Sequence, residues 1–219
     1  MNLDFSQIVP YIPFILEGIW VTLKFVIFSI IFGFVIGTVL ALFKISRKKA
    51  LIWFGDAYTS IFRGTPLILQ LMLIYFAIPQ LTGYDISAFL SAILAFGLNS
   101  SAYVSEIIRA GIQAVDKGQT EAAQALGVPY RMMMKDLILP QALKNILPAL
   151  MNEFITLTKE SAIVSTIGYL DLMRRATVVG SEIYRQFEPL LFVGLIYWVL
   201  VMILTLIGKR IERRMKLSD

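Results

Sequence analysis

The 219-residue sequence contains no cysteine and no histidine, and only 16% of its residues are charged. The absence of cysteine excludes disulfides, thiolate zinc sites and thiol catalysis. The absence of histidine removes the side chain that most often serves as a general base or a metal ligand. Soluble domains carry about 25% charged residues, so this chain has too little charge for an ordinary soluble globule.

Apolar residues are what the sequence has in excess: 58% of it is hydrophobic, and its mean hydropathy is +0.75. A disordered chain would need low hydrophobicity, so disorder is excluded as well. The composition predicts a protein that crosses the membrane several times and is surrounded by lipid. A net charge of +5 is then more typical of basic cytoplasmic loops than of nucleic-acid binding, and we expect no nucleic-acid partner.

Five apolar stretches are candidates for membrane spans, each of which needs about 20 residues as a helix. The fourth is short and is followed by a second apolar segment at 161–169. No repeat or linker divides the chain. We therefore predict an all-α, polytopic membrane protein with one domain, residues 1–219. The five predicted transmembrane helices are 13–43, 50–81, 86–115, 145–158 and 189–208.

Basic residues are distributed unevenly between the two predicted sides of the membrane. Thirteen of the 20 lie after the first span, between the third and fourth spans, or after the fifth. Cytoplasmic loops carry the excess of lysine and arginine in membrane proteins. The N-terminus is therefore predicted outside and the C-terminus in the cytoplasm. The thirteen are Lys44, Arg47, Lys48, Lys49, Lys117, Arg131, Lys135, Lys144, Lys209, Arg210, Arg213, Arg214 and Lys216.

The second and fourth spans are interrupted. Arg63-Gly64-Thr65-Pro66 predicts a helix end followed by a new start, with Thr65 as the cap and Pro66 as the first helical residue. The fourth span ends early, at Lys159. Broken helices within a membrane are typical of a transport site. The alternative is that both breaks are peripheral helix ends.

Two clusters of polar residues lie within apolar spans. A charged side chain at mid-bilayer costs about 2.5–3.5 kcal/mol on insertion scales, so it usually faces a partner or a cavity. Together the clusters predict a polar path for a solute. Alternatively, Glu106–Arg109 or Glu153–Lys159 pairs hold helices together, or Glu106 lies at the cytoplasmic surface. With Arg63, the predicted substrate-binding residues are Asn99, Tyr103 and Glu106 in the third span, and Asn152, Glu153, Thr156, Lys159 and Glu160 near the fourth.

The cytoplasmic loop at about 116–140 predicts two short helices joined by a sharp turn. Thr120 is the expected N-cap of the first helix, and Gly127 its C-terminal stop. Pro129 would begin the second helix, which is rich in methionine and would end at Leu139-Pro140. Methionine side chains suit an adaptable binding surface. The alternative is an amphipathic helix lying on lipid.

The same loop resembles the signature loop of bacterial ABC importer permeases. The matching residues are Glu121-Ala122-Ala123, Gly127, Leu137 and Leu139-Pro140. Leu137 is a departure, because the family most often has isoleucine there. Further fragments resemble permeases of polar amino-acid uptake systems, so that the resemblance covers nearly the whole chain. They are Arg63-Gly64-Thr65-Pro66-Leu67, Ser101-Ala102-Tyr103 with Glu106, Arg109-Ala110-Gly111, Gly118-Gln119, and Asn152-Glu153 with Lys159.

The resemblance implies a translocation subunit of the bacterial cytoplasmic membrane that is not itself an enzyme. A dimer of a separate cytoplasmic ATPase would bind ATP and Mg and would dock on this loop. A second permease chain, identical or homologous, and an extracytoplasmic amino-acid-binding protein would complete the importer. The chain itself would hold no cofactor or metal, and it has no phosphate-binding loop of the G-x-x-x-x-G-K-[ST] type. The implied coupling residues are Glu121, Ala122, Ala123, Gly127, Leu139 and Pro140.

The charges near the predicted path favour a cationic amino acid such as arginine, lysine or histidine. The substrate carboxylate would bind Arg63, Lys159 or the amides of a broken helix, and its ammonium would bind Glu153, Glu160 or Glu106. Relatives often carry Asp or Asn and then Thr after the lysine, where this chain has Glu160 and Ser161. The alternatives are an ion-driven carrier or passive channel for small polar solutes, a lipid-modifying enzyme, and a structural subunit.

Overall fold

The computed structural model describes residues 3–216, except for the side chain of Lys216, and all the regular secondary structure in that part of the chain is helical. Short 3-10 segments lie at Phe5–Tyr11 and Ser161–Ile167, and the first and last of the α-helices are the longest. The helices are α1 Ile12–Lys44, α2 Lys49–Gly64, α3 Leu67–Met72, α4 Ile78–Thr82, α5 Ala88–Gln113, α6 Lys117–Ala125, α7 Tyr130–Met132, α8 Leu139–Glu160, α9 Leu172–Glu182 and α10 Phe187–Lys216.

The centre of the bundle is the pair α1 and α5. Gly37 lets the two backbones approach, because a Cβ there would lie 2.8 Å from the Ser101 carbonyl oxygen and from Val104. Small residues allow this kind of close approach between membrane helices. Toward the other end of the pair, Phe25 and Phe96 meet edge to face at 5.4 Å between ring centroids, and both are fully buried.

In the described part of the chain, three helical stretches are long and apolar enough to span a membrane: Phe5–Lys44, Ala88–Gln113 and Phe187–Met215. A fourth is the bent pair Lys49–Gly64 and Leu67–Thr82, whose axes meet at 99°. The predicted break at Gly64 is therefore confirmed. Helix α8, the predicted fourth span, is too polar to meet the same criterion of length and composition, so that five spans remain a prediction.

Contacts distinguish the two ends of the bundle. At one end, the Asp4 amide donates to Glu188 Oε1 at 3.2 Å, and the Tyr11 hydroxyl donates to Glu182 Oε1 at 2.9 Å. These bonds place the start of the described chain beside the α9–α10 turn. At the other end, Lys44 of α1 contacts α2 and α5. The two ends of α1 therefore lie at opposite ends of the bundle, and which of them faces the cytoplasm stays a prediction.

Two helical stretches are widened into π-helical turns, at Leu73–Ala77 and Met133–Ile138. Each widened turn is followed closely by a proline, Pro79 or Pro140. Proline has no N–H for the carbonyl four residues earlier, and a widened turn accommodates that missing bond. The prediction that a helix ends at Leu139-Pro140 was therefore wrong. The chain stays helical from Tyr130 through the widened turn and α8 to Glu160.

Candidate functional site

The break between α2 and α3 is held by a cluster of side-chain amides. Asn99 Nδ2 of α5 donates to the Phe62 carbonyl at 2.9 Å and to Gln70 Oε1 at 3.1 Å. Gln70 Nε2 donates to the Phe62 and Thr65 carbonyls at 2.9 and 3.1 Å. These bonds satisfy carbonyls that the end of α2 leaves unpaired. Asn99 and Gln70 are both buried, so this irregular backbone is braced from within the protein.

Contrary to the prediction from the sequence, Thr65 does not cap α3. Its hydroxyl donates to the Ile61 carbonyl at 2.9 Å and accepts from Gln70 Nε2 at 2.8 Å. The capping position belongs to Pro66, which has no side-chain acceptor. Thr65 thus contributes to closing α2, because its hydroxyl lies nearer to the orphan carbonyls of α2 than to the first amides of α3.

A cavity of about 650 Å³ opens between α5 and α8, with Arg63 at the end of α2 in its wall. It brings together three of the predicted substrate-binding residues, Arg63, Tyr103 and Glu106. The Arg63 guanidinium lies over the Tyr103 ring, 5.2 Å from its centroid. The rest of the wall comes from α5, α8 and α10: Ile107, Ala110, Gly111, Ala114, Lys144, Asn145, Pro148, Ala149 and Glu212.

Glu106 is the centre of an ion cluster at the end of α1. Lys44 Nζ contacts Glu106 Oε1 and donates to Thr59 Oγ1 at 2.8 Å, and it lies 3.1 Å from Asp56. Arg109 donates to the other Glu106 oxygen at 2.6 and 3.0 Å. The Glu106–Arg109 pair considered from the sequence is therefore present. Lys44 is only 9% exposed, so its charge is compensated within the protein.

The predicted residues of α8 differ in how exposed they are. Asn152 and Lys159 are exposed and follow Asn145 of the cavity wall at intervals of seven residues, so the three form one stripe. Glu153, Thr156 and Glu160 are partly buried, and the Glu153 carboxylate lies beside the Ser100 hydroxyl of α5. Among the described residues no ion pair joins Glu153 to Lys159.

The loop at 116–140 differs from its prediction at its start. Helix α6 begins earlier than expected, because Asp116 Oδ1 accepts from the Gly118 amide at 2.7 Å and caps it. Thr120, the predicted cap, lies inside the helix. Gly127 ends the helix as predicted, with a left-handed φ of 71° that glycine adopts without strain. Glu121 and Ala122 are exposed, whereas Ala123 is buried.

A small hydrophobic core joins this loop to α5 and α8. Met133 and Ile138 of the widened turn are buried against Val115, at the end of α5, and Ala142 and Ile146 of α8. The α5–α8 approach is close, because a Cβ at Gly111 would lie 2.3 Å from Ile146 Cγ1. The exposed face of α6 is thus connected by packed side chains to both helices that line the cavity.

A buried polar cluster lies away from the cavity, where α1, α9 and α10 meet. Asp171 caps α9 by accepting from the Arg174 amide at 2.8 Å, and the Leu172 amide donates to Thr22 Oγ1 of α1 at 3.2 Å. The Tyr197 hydroxyl lies 3.3 Å from Ser161 Oγ. Asp171 precedes α9, outside the membrane-spanning helices, and burial raises the pKa of its carboxyl to about 6.

Sequence reasoning missed the partners that hold the predicted residues. Lys44 was assigned only to a basic loop, and Gln70 was not singled out. Tyr58, whose hydroxyl contacts the Leu98 carbonyl at 3.0 Å and Ser101 Oγ at 2.8 Å, was also missed. Gln70 is a lone polar residue in an apolar run, and this isolation is the signal that could have revealed it. Within residues 3–216, no three His, Cys, Asp or Glu side chains are grouped to bind a metal.

A helical bundle with a broken span, a cavity lined in part by charged side chains and an exposed loop packed against the cavity helices is the architecture of a membrane transport component. Residues 30–217 match the family model of the binding-protein-dependent transport system inner membrane component. The chain belongs to this family, whose members are transport subunits and not catalytic ones.

The chain is also similar to individual transport proteins. The chain is 63% identical to the arginine transport system permease protein ArtQ of Bacillus subtilis over 219 residues, 100% of both chains. It is 54% identical over 206 residues to the putative glutamine transport system permease protein GlnP of Rickettsia conorii, covering 94% of each chain. Its fold is similar to a crystal structure of an amino acid ABC transporter with histidines. That match has a TM-score of 0.94 and 47% identity, and covers 98% of this chain and 100% of that one.

Proposed function

We propose that this chain is the permease subunit of an ATP-driven ABC importer of polar amino acids, with arginine as the first substrate to test. Residues 1–219 form one domain that crosses the bacterial cytoplasmic membrane five times, with the N-terminus outside and the C-terminus in the cytoplasm. A separate ATPase dimer supplies ATP hydrolysis and holds ATP and Mg. A second permease chain and an extracytoplasmic binding protein complete the importer.

The observation that carries this proposal is the core shared by the loop and the cavity helices. Met133 and Ile138 pack in one core with Ile112 of α5 and Ile146 of α8, so a push on α6 acts on both helices. Packed interiors transmit displacement because they resist compression. ATP-driven closure of the ATPase dimer, acting on Glu121, Ala122, Ala123, Gly127, Leu139 and Pro140, would in this way alter the cavity.

Arg63 is our candidate for the substrate carboxylate. Among the described residues it has no carboxylate within ion-pair distance, and it lines the cavity over the Tyr103 ring. Glu106 already contacts two cations, so Glu153 and Glu160 are the stronger candidates for a cationic substrate. Asn152, Thr156 and Lys159 would line the path along α8. Asn99, which holds the helix break, would position Arg63 instead of contacting the substrate. The similarity to ArtQ also favours arginine.

Uptake into proteoliposomes tests this function. The permease would be reconstituted with its ATPase and binding protein, and labelled arginine, glutamine and glutamate would be supplied separately. We expect ATP-dependent uptake that prefers arginine. Equal uptake of arginine and glutamine, or a preference for glutamate, would contradict the charge argument. Uptake without ATP would favour the ion-driven carrier or passive channel.

Arg63→Gln tests the carboxylate site. We expect a KM for arginine at least about tenfold higher, because a lost charge-assisted hydrogen bond costs about 1.5–3 kcal/mol. Arg174→Gln is the matched control, since Arg174 is an exposed arginine of α9 outside the cavity. If the two variants have similar KM values, Arg63 does not bind the substrate carboxylate.

A further inference from the structure

Tyr184, in the turn between α9 and α10, combines an exposed side chain with an unfavourable backbone. Its side chain is 95% exposed, and its φ is 55°. Bulky residues rarely adopt this left-handed conformation. The other left-handed positions within residues 3–216 are all glycines: Gly83, Gly127 and Gly168. Tyr184 is the exception at a helix end where glycine would be favoured.

The turn is held rigidly by contacts on both sides of Tyr184. The Arg185 amide donates to the Gly180 carbonyl at 2.9 Å, and the Ile183 amide donates to the Val179 carbonyl at 3.0 Å. Arg185 also forms an ion pair of 2.7 Å with Glu188, which accepts from the Asp4 amide. A strained conformation persists only when its surroundings determine it in this way, and such strain is concentrated at functional positions.

We propose that Tyr184 is an anchor on which the extracytoplasmic binding protein of this transport system docks. This inference rests on the proposed function, which places the α9–α10 turn on the outer face. Tyrosine is enriched among the residues that dominate protein interfaces. A backbone that is already fixed in position loses little conformational entropy when a partner binds.

A protein partner suits this position better than lipid. Glu182, Arg185 and Gln186 lie within two residues of Tyr184, so the turn is polar on both sides. The exposed apolar residues of α10 begin three residues beyond it with Phe187 and continue with Leu190 and Leu191. A tyrosine that only marks the membrane interface would also not need a fixed left-handed backbone.

The test uses the permease–ATPase complex in nanodiscs and the arginine-binding protein of the source organism, loaded with arginine. Its affinity would be measured by biolayer interferometry for the wild type, Tyr184→Ala and Tyr184→Gly. We expect both variants to bind at least about tenfold more weakly. Because glycine relieves the left-handed strain, the Tm of Tyr184→Gly should be no lower than that of the wild type, which separates docking from folding. Trp53→Ala, at an exposed aromatic residue of α2 outside the 116–140 loop, should keep wild-type affinity.

An unchanged affinity in Tyr184→Gly, alongside binding by the wild type, would overturn the anchor and leave the proposed function intact. A change in Tm without a change in affinity would also overturn it, in favour of a lipid-interface role. If the wild type bound no arginine-binding protein and showed no ATP-driven arginine uptake, the proposed function itself would fail and the anchor with it.

Discussion

Lys44 and Glu106 form a partly buried ion pair that joins the end of α1 to α5, 62 residues later in the chain. Asp56, Thr59 and Arg109 complete the cluster. The pair adjoins the cavity, because Glu106 is part of its wall. It therefore fixes the relative position of three helices beside the proposed path.

Lys44→Met should destabilise the protein by about 3 kcal/mol, because it leaves the partly buried Glu106 carboxylate with one cation fewer. Thermal unfolding in detergent measures this as a lower Tm. Lys48→Met is the matched control at an exposed lysine and should change stability by less than about 0.5 kcal/mol. Lys44→Met combined with Glu106→Gln should recover part of the loss. Equal Tm values for the two single variants would contradict the account.

Gly111→Ala should destabilise the contact between α5 and α8 by about 1–3 kcal/mol, because its Cβ would collide with Ile146 Cγ1. Gly194→Ala is the control, since no atom lies within 4 Å of a Cβ there. The Tm of each variant measures the effect. Ile146→Ala should be non-additive with Gly111→Ala, because the smaller side chain makes room. Additive losses would show that the two residues do not share this contact.

Pro140→Ala should reduce the amount of substrate transported per ATP by about fivefold or more. Alanine has the N–H that Pro140 lacks and can donate it to the Asp136 carbonyl. The widened turn can then become regular α-helix, which would rotate the loop relative to α8. Uptake and ATP hydrolysis would be measured in the same proteoliposomes. Pro79→Ala relaxes the other widened turn, away from the loop, and should leave coupling nearly unchanged. Normal coupling in Pro140→Ala would show that this turn has no part in transmission.

Asp171→Asn should raise Tm at neutral pH. Burial raises the carboxyl pKa to about 6, so the folded state binds this proton more tightly than the unfolded state does. The contribution of Asp171 to stability is therefore lost as the pH rises from about 4 to 6. Asparagine can still cap α9 without a charge. We expect the Tm of the variant to exceed that of the wild type by about 2–4 °C at pH 7.5 and by little at pH 4.5. A difference in Tm that is the same at both pH values would contradict this prediction.

Local signals in the sequence predicted much of this fold. Hydropathy gave α1 and α5 within two residues at each end, but α10 continues to Lys216, beyond the predicted end at residue 208. Gly64 and Gly127 marked real helix ends because their effects on the backbone are local. The start of α6 was misplaced because Asp116 and Thr120 are both good caps, and nothing nearby decides between them. Pro140 was taken for a helix end because a widened turn has no signature in the sequence.

The partners within the site could not be predicted, because they are remote along the chain. Asn99 shares a helix face with Tyr103 and Glu106, yet it bonds to Gln70, 29 residues away. The pairing of Glu106 with Lys44 depends on how α1 and α5 pack, which hydropathy does not specify. The sequence therefore identified which polar residues lie in the apolar spans, but it did not distinguish those that brace the fold from those that line the cavity.

The proposed function requires that the exposed face of α6 receives an ATPase. Its most direct test is to purify this chain from native membranes in a mild detergent and identify the proteins that accompany it. We predict a stoichiometric soluble ATPase that is lost from Glu121→Lys and retained by the control Lys48→Met, with both variants folded. Recovery of a pure oligomer without an ATPase, under conditions that preserve membrane complexes, would contradict the account and favour a carrier or channel.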